Sequence, residues 1–532
     1  MDFPYDSRFS DLPEKIMIFG PPGTGKTSTL EHIFNIYMAE KQNNSGIYIT
    51  YSRAMAAEAR ERLQLGKELV GTFHSIFSMY LGWNKENFLN DQDYTEFCNR
   101  YGLKKKVDMD DVDFMEPVEM DDLTYFLSNY NYLYSSYFEK PERHFDIITE
   151  KMMSDSYQGK FDFQYLFDKY EDFKIKKGKR DYTDILVEIA RNTELLPYLD
   201  FIEVDEVQDM RPIMWHILDK WSEKAEKIIY AGDDDQNLYF YDNADVKLML
   251  EHRKGADLYH LHQSFRIPQK IHQVASSLIK NVQNREQKDF EPTNEKGEVL
   301  YLNDIAYAIT TLNNLDGTKF ILVRSSFLIE KIAKIMVDMG IPFSVINPRH
   351  RYFTPYSYSD FDFANIFLDF PPTDFMQIRK VITHLPASIL IRGVKTAMEK
   401  KQMDKLPITI DKYAGNGYFY SLFKKNLTKE QIYEYLDLPY EKKTNIQRLI
   451  SKKRHIDIDK IIRIDTIHAS KGKEADNVLF VNNITRKVYE NTYLNQDIFD
   501  AEIRTKYVGL TRARKVLMIV SDTNLSTYTF VA

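Results

Sequence analysis

Along the chain, short runs of β-branched and aromatic residues alternate with longer stretches whose apolar residues recur at helical spacing. The runs at 15–19, 47–51, 201–204, 227–231, 320–324, 461–466, 477–481 and 516–520 are rich in apolar, β-branched and aromatic residues, as expected of strands buried on both faces of a sheet. Helical stretches between them predict parallel strands joined by crossover helices. Ser52 is placed to cap a helix burying Met55, Ala59 and Leu63, and a helix over 330–339 stops at Gly340, ahead of Pro342. Two stretches break this rhythm: one of about a hundred residues rich in Tyr, Phe and charge, and a helical, Lys-rich one after Pro371-Pro372. The expected organisation is a first α/β unit from 1–80 and 181–260 with a mainly helical insertion at 81–180. A second α/β unit follows from 261–370 and 455–532, with an insertion at 371–454.

Composition narrows the class. At 532 residues the chain exceeds one compact core, and its 43% hydrophobic content supports a globular fold. It has no run of about eighteen uncharged apolar residues and no signal-type start, so a soluble cytoplasmic protein without a membrane partner is expected. Cys98 is the single cysteine, which excludes an intramolecular disulfide and a cysteine-rich metal site. The net charge of -8 argues against a protein that coats nucleic acid. Its distribution is uneven: 108–122 is strongly acidic, whereas 174–180 and 452–455 are basic. The acidic stretch reads as a mobile surface loop, or as an internal competitor lying across a basic channel. The basic runs read equally as solvated faces.

Chemistry enters directly after the first predicted strand. Gly20-Pro21-Pro22-Gly23-Thr24-Gly25-Lys26-Thr27 satisfies G-x-x-x-x-G-K-[ST] and opens a helix that includes Thr29. Such a loop turns backbone N–H groups toward a β-phosphate, extends its lysine to the β/γ oxygens, and offers the Thr27 hydroxyl to Mg²⁺. The strand at 201–204 ends in Asp205 and Glu206, which supply a carboxylate for the metal and a general base for water. A further strand leads into Asp233-Asp234-Asp235-Gln236, where Gln236 is a candidate γ-phosphate sensor and the aspartates are open between site and scaffold.

The ordered set of motifs resembles the UvrD/Rep/PcrA group of superfamily 1 DNA helicases over nearly the whole chain. Thr50 to Glu58, Gly71-Thr72-Phe73-His74-Ser75, Arg180 to Leu186 and Asp205-Glu206-Val207-Gln208-Asp209 match in the first half. Leu261 to Arg266, Thr466 to Glu474 and Tyr507 to Arg514 match in the second. The resemblance implies two RecA-like P-loop motor domains with ATP and Mg²⁺ between them. It also implies Arg266 and Arg512 as arginine fingers, Phe265 stacked on adenine, and Gly472 and Glu474 at the nucleotide. Tyr51, Arg53, Thr72, Phe73, His74, Tyr241, Thr466 and His468 are the candidate nucleic-acid contacts; aromatic stacking is worth about 1–3 kcal/mol per base without demanding a sequence.

The chain departs from the family at three places. Its first glutamine is Gln42, downstream of the phosphate loop; Arg53-Ala54 stand where Asn-Lys is usual; and Tyr241-Asp242 replace Trp-Arg. Both insertions look short, and little sequence follows Arg514, so no fused nuclease is expected. The resemblance implies a helicase moving 3′ to 5′ on single-stranded DNA or on a duplex with a single-stranded tail. Accessory replication or repair proteins are candidate partners, and no oligomer is required. A translocase that remodels complexes, a nucleotide-dependent switch and an RNA substrate are the alternatives.

Overall fold

The structure, a computed structural model, describes residues 3–41, 45–105, 121–154, 161–346, 358–400, 417–451, 453, 457, 460–493, 495–525 and 528–529. Most of the acidic stretch and most of the basic run at 452–455 lie outside these residues. The chain divides into two compact units: 1–303, 322–326 and 466–532 form the first, and 304–321 with 327–465 the second.

The first unit holds a parallel sheet of β1 (Lys15–Phe19), β2 (Gly46–Thr50), β3 (Val70–Thr72), β4 (Leu199–Val204), β5 (Ala225–Gly232) and β6 (Asp257–His260), in the order β3-β2-β4-β5-β1-β6. Its central strands are buried nearly throughout, which explains their largely apolar sequence; Glu203 inside β4 is a fully buried exception. Three further elements, β7 (Glu298–Leu302), β8 (Lys319–Val323) and β9 (Phe343–Val345), are followed by β10 (Ile462–Thr466) and β11 (Ala475–Val481). The two-residue β12 (Asn483–Ile484) and β14 (Tyr528–Thr529) pair antiparallel around β13 (Ala513–Val520) in chain order. In the first unit β13 lies between β7 and β11, parallel to both. In the second unit β9 and β10 run parallel, beside a helical cluster whose core includes Phe361, Ile382, Leu422 and Ile446. The α/β class with parallel sheets is as expected.

Local chemistry sets the helix boundaries. Ser52 accepts the Met55 N–H at 3.1 Å and caps Arg53–Leu63. That helix buries Ala59 as expected, together with Ala56, and leaves Met55 and Leu63 half-buried. Within 81–180, the helices Asp91–Tyr101, Asp122–Tyr137 and Phe163–Lys177 enclose an aromatic core of Phe97, Phe126, Tyr130 and Tyr170. Three cations of the basic run at 174–180 are paired internally. Lys174 is buried against Asp184 at 2.7 Å, Lys177 meets Glu96 at 2.6 Å, and Lys179 meets Asp93 at 2.6 Å. Among the described residues no helix is long and apolar enough to cross a membrane.

Candidate active site

Everything gathered here belongs to the first unit. The loop after β1 turns through Gly23 at φ 75° and Gly25 at φ 88°, left-handed conformations that favour glycine, into the helix Lys26–Glu40. A Cβ on Gly23 would stand 2.4 Å from the Arg266 Cβ, so the two backbones approach as closely as glycine allows. Lys26 Nζ donates to the Gly20 carbonyl at 2.6 Å, which folds its cation back over the loop. The Thr24 hydroxyl donates to the Pro21 carbonyl at 2.8 Å and pins the turn.

Asp205 emerges from β4 directly opposite the start of that helix. The Thr27 hydroxyl and the Tyr48 hydroxyl each donate to its Oδ2 at 2.9 Å. Burial and the neighbouring Glu206 charge push the Asp205 carboxyl up to about 6. Thr27 and Asp205 thereby present two close oxygen donors, a set suited to a hard divalent cation. Glu206 stands at φ 59°, a left-handed position for a non-glycine residue and a common setting for functional strain. Burial disfavours its charge, yet Lys471 at 3.4 Å, Lys26 and a 2.5 Å hydrogen bond from Gln208 outweigh this and hold its carboxyl at about 2. Glu206 is therefore ionised and oriented.

Gln236 links this carboxylate region to the later motifs. Its amide N–H donates to Asp233 at 2.6 Å, while its Oε1 accepts from Arg512 Nη2 at 3.0 Å. Arg512 is 2% exposed and also donates to the carbonyls of Val508 and Lys473, at 2.9 and 3.3 Å. Burial and the Arg266 charge lower its guanidinium to about 9. Arg266 follows a segment tied to the phosphate loop, because Ser264 Oγ donates to the Pro22 carbonyl at 2.8 Å and the Phe265 N–H donates to the Gly23 carbonyl at 2.8 Å. Arg266 pairs with Glu474, which also meets Arg514 at 3.1 Å. Phe265 is 77% exposed beside the loop, and Gly472 turns at φ 73° just before Lys473 and Glu474.

The model of the UvrD/REP helicase N-terminal domain matches residues 7–257, and that of the UvrD-like helicase C-terminal domain matches 417–524. The chain belongs to the UvrD-like helicase family. Relatives include "ATP-dependent DNA helicase PcrA" of Bacillus subtilis, 24% identical over 53% of this chain and 40% of the relative. A Staphylococcus aureus protein of the same name is 24% identical over 61% and 45%, respectively. A "Probable DNA helicase II homolog" of Rickettsia conorii is 24% identical over 35% and 32%. Each match spans less than half of the relative's own length.

Other positions singled out by the UvrD-like motifs have different surroundings. Tyr51 stacks on Tyr239, with ring centroids 4.5 Å apart. Phe73 is 3% exposed and packs against Phe77, so it serves the core instead of offering a face to a base. Thr72 caps the helix Phe73–Tyr80 in a capping box with Ser75. His74 is held neutral, its pKa lowered to about 3 by burial and by the Arg211 and Arg53 charges. Burial and Arg324 likewise lower His468 to about 3. Thr466 accepts the Ala469 N–H at 3.3 Å, Arg53 is exposed, and the Tyr241 backbone lies in the turn Phe240–Asp242. Thr29 is 1% exposed, its hydroxyl engaged by Gly25 and Tyr5, so it braces the loop from beneath.

Sequence reasoning missed four groups. Tyr48 holds Asp205; Gln208 bridges Glu206 and the Asp233 N–H; Lys471 joins Glu206 to Asp209. The fourth is the pair Arg285 and Lys288, which neutralise the buried aspartates. Arg285 meets Asp235 at 2.6 Å, and Lys288 reaches Asp233 and Asp235 at 3.1 and 2.9 Å. These contacts give Asp233, Asp234 and Asp235 a scaffold role. The glutamine within D-E-x-Q-D was the available signal for Gln208.

Proposed function

We propose that this chain is an ATP-driven motor on single-stranded nucleic acid, a DNA helicase moving 3′ to 5′. The observation that carries this reading is the 3.0 Å bond from Arg512 to Gln236, beside a phosphate loop that touches the Arg266 segment. Arg512 and Gln236, 276 positions apart in the chain, are thereby joined, and the segment before Arg266 is tied to the loop itself. The names of the relatives support ATP as fuel and DNA as track. In this reading Lys26 and the loop N–H groups bind the triphosphate, and Thr27 and Asp205 hold Mg²⁺. Bound Mg²⁺ would neutralise charge on the phosphate oxygens. Glu206 orients and deprotonates the attacking water, while Gln236, Arg266 and Arg512 meet the γ-phosphate. Phe265 offers its exposed face to adenine. Glu474 exchanges Arg266 for the ribose as nucleotide enters. Tyr51, Tyr241, Arg53, His74, Thr466 and His468 form the strand-side set.

Two outcomes are expected. Because the Asp205 carboxyl is pushed up to about 6, a proton competes with the cation below that pH. The Mg²⁺ requirement of ATP turnover should therefore rise as pH falls through 6, approaching about tenfold per unit. A requirement constant between about pH 5 and pH 8 would remove Asp205 from the metal. Strand displacement should prefer a duplex with a 3′ tail. A 5′ preference would reverse the proposed polarity, and no displacement despite DNA-stimulated turnover would favour a translocase.

A further inference from the structure

Beside the stacked Tyr51 and Tyr239, Arg211 and Asp242 form an ion pair. Arg211 precedes the helix Pro212–Ser222, and Asp242 closes the turn Phe240–Asp242. Their side chains are 16% and 28% exposed, so the pair is sheltered but reachable from solvent. The Tyr51 hydroxyl donates to the same Asp242 oxygen at 3.4 Å. His74, its pKa lowered by burial and by the Arg211 and Arg53 charges, adds no positive charge of its own to this corner.

Arg211 is not fully used by this arrangement. Its Nη2 engages Asp242, while its buried Nε has no hydrogen-bond acceptor. A guanidinium has five donors in a planar fork that matches a phosphate bidentately. Leaving one buried and unmade is costly. An incoming phosphodiester would satisfy it, and the adjacent tyrosine pair is the kind of surface against which a base stacks.

We infer that Arg211 is a backbone-phosphate contact for the single strand and that Asp242 is its built-in competitor, displaced when a phosphate arrives. The inference rests on the nucleic-acid reading above and adds a site to it. Exchange of one anion for another lowers the net gain of each contact. The strand is thereby held without being trapped, as stepping requires.

Fluorescence anisotropy with a labelled oligo-dT, read over a salt series, tests this on the full chain. Asp242→Asn should bind roughly tenfold more tightly, because the competitor is gone. Arg211→Met should bind roughly tenfold more weakly, with a salt slope shallower by about 0.7, the share of one single-strand phosphate. The exchanged pair Arg211→Asp with Asp242→Arg returns a cation to this corner and should recover most of the lost affinity. If the wild type binds and Asp242→Asn binds no better, the pair is only a brace and the inference fails. If Asp242→Asn does not fold, the exchanged pair decides: recovery supports the inference, and binding at the Arg211→Met level overturns it. Absence of binding by the wild type would instead overturn the nucleic-acid reading itself.

Discussion

Glu206→Gln is expected to lower ATP turnover by about 10³-fold while leaving the affinity for a fluorescent ATP analogue near wild type. The substitution preserves length and keeps an oxygen to accept from Gln208, but removes the charge that Lys471 and Lys26 stabilise. Lys471 retains its pairing with Asp209, so the surrounding structure keeps its anchor. Glu206 is already ionised at neutral pH, with its carboxyl held at about 2. Its contribution as a base must therefore come from placement, since so acidic a group gains little driving force for removing a proton. Lys26→Ala differs in kind, because it removes the cation proposed to meet the triphosphate and should abolish binding and turnover together. Retention of more than about a tenth of turnover by Glu206→Gln would transfer the base to another group.

The second large effect is expected at Arg512. Its guanidinium is fixed by the Val508 and Lys473 carbonyls and by the Gln236 amide oxygen, all neutral acceptors. A buried cation held in this way is poised for an anion: charge appearing on a γ-phosphate would find it already oriented and shielded from water. Arg512→Lys keeps a charge but lacks the fork that spans three acceptors, so turnover should fall by about 10³-fold. The bond to Gln236 gives the residue a second consequence. Gln236 leads along the chain into Leu238 and Tyr239, whose ring stacks on Tyr51. The proposed strand-side pair is thus within a few residues of Gln236, one of the proposed γ-phosphate contacts.

Much of this was legible in the sequence, for physical reasons. Strands such as β1, β2, β4 and β11 are buried on both faces and are therefore apolar along most of their length. The phosphate loop needs its glycines wherever it occurs. Other strands left weaker traces: β6 and β7 lie at sheet edges with exposed positions, while β3 and β9 are only three residues long. Tyr48 was hidden because a tyrosine in a wholly buried strand reads as core until its hydroxyl is seen to reach Asp205. Arg285 and Lys288 belong to a charged stretch that reads as solvated surface, and only the fold brings it to the three aspartates. Conversely, Phe73 and Thr29 sit inside motifs yet spend their side chains on packing and bracing.

The most direct test is steady-state ATP turnover titrated with oligo-dT, run on the wild type and Arg512→Lys side by side. The account predicts that single-stranded DNA raises wild-type turnover at least about tenfold and that the variant stays low at every DNA concentration. Wild-type turnover indifferent to DNA, or a variant that DNA stimulates as fully as the wild type, would contradict it.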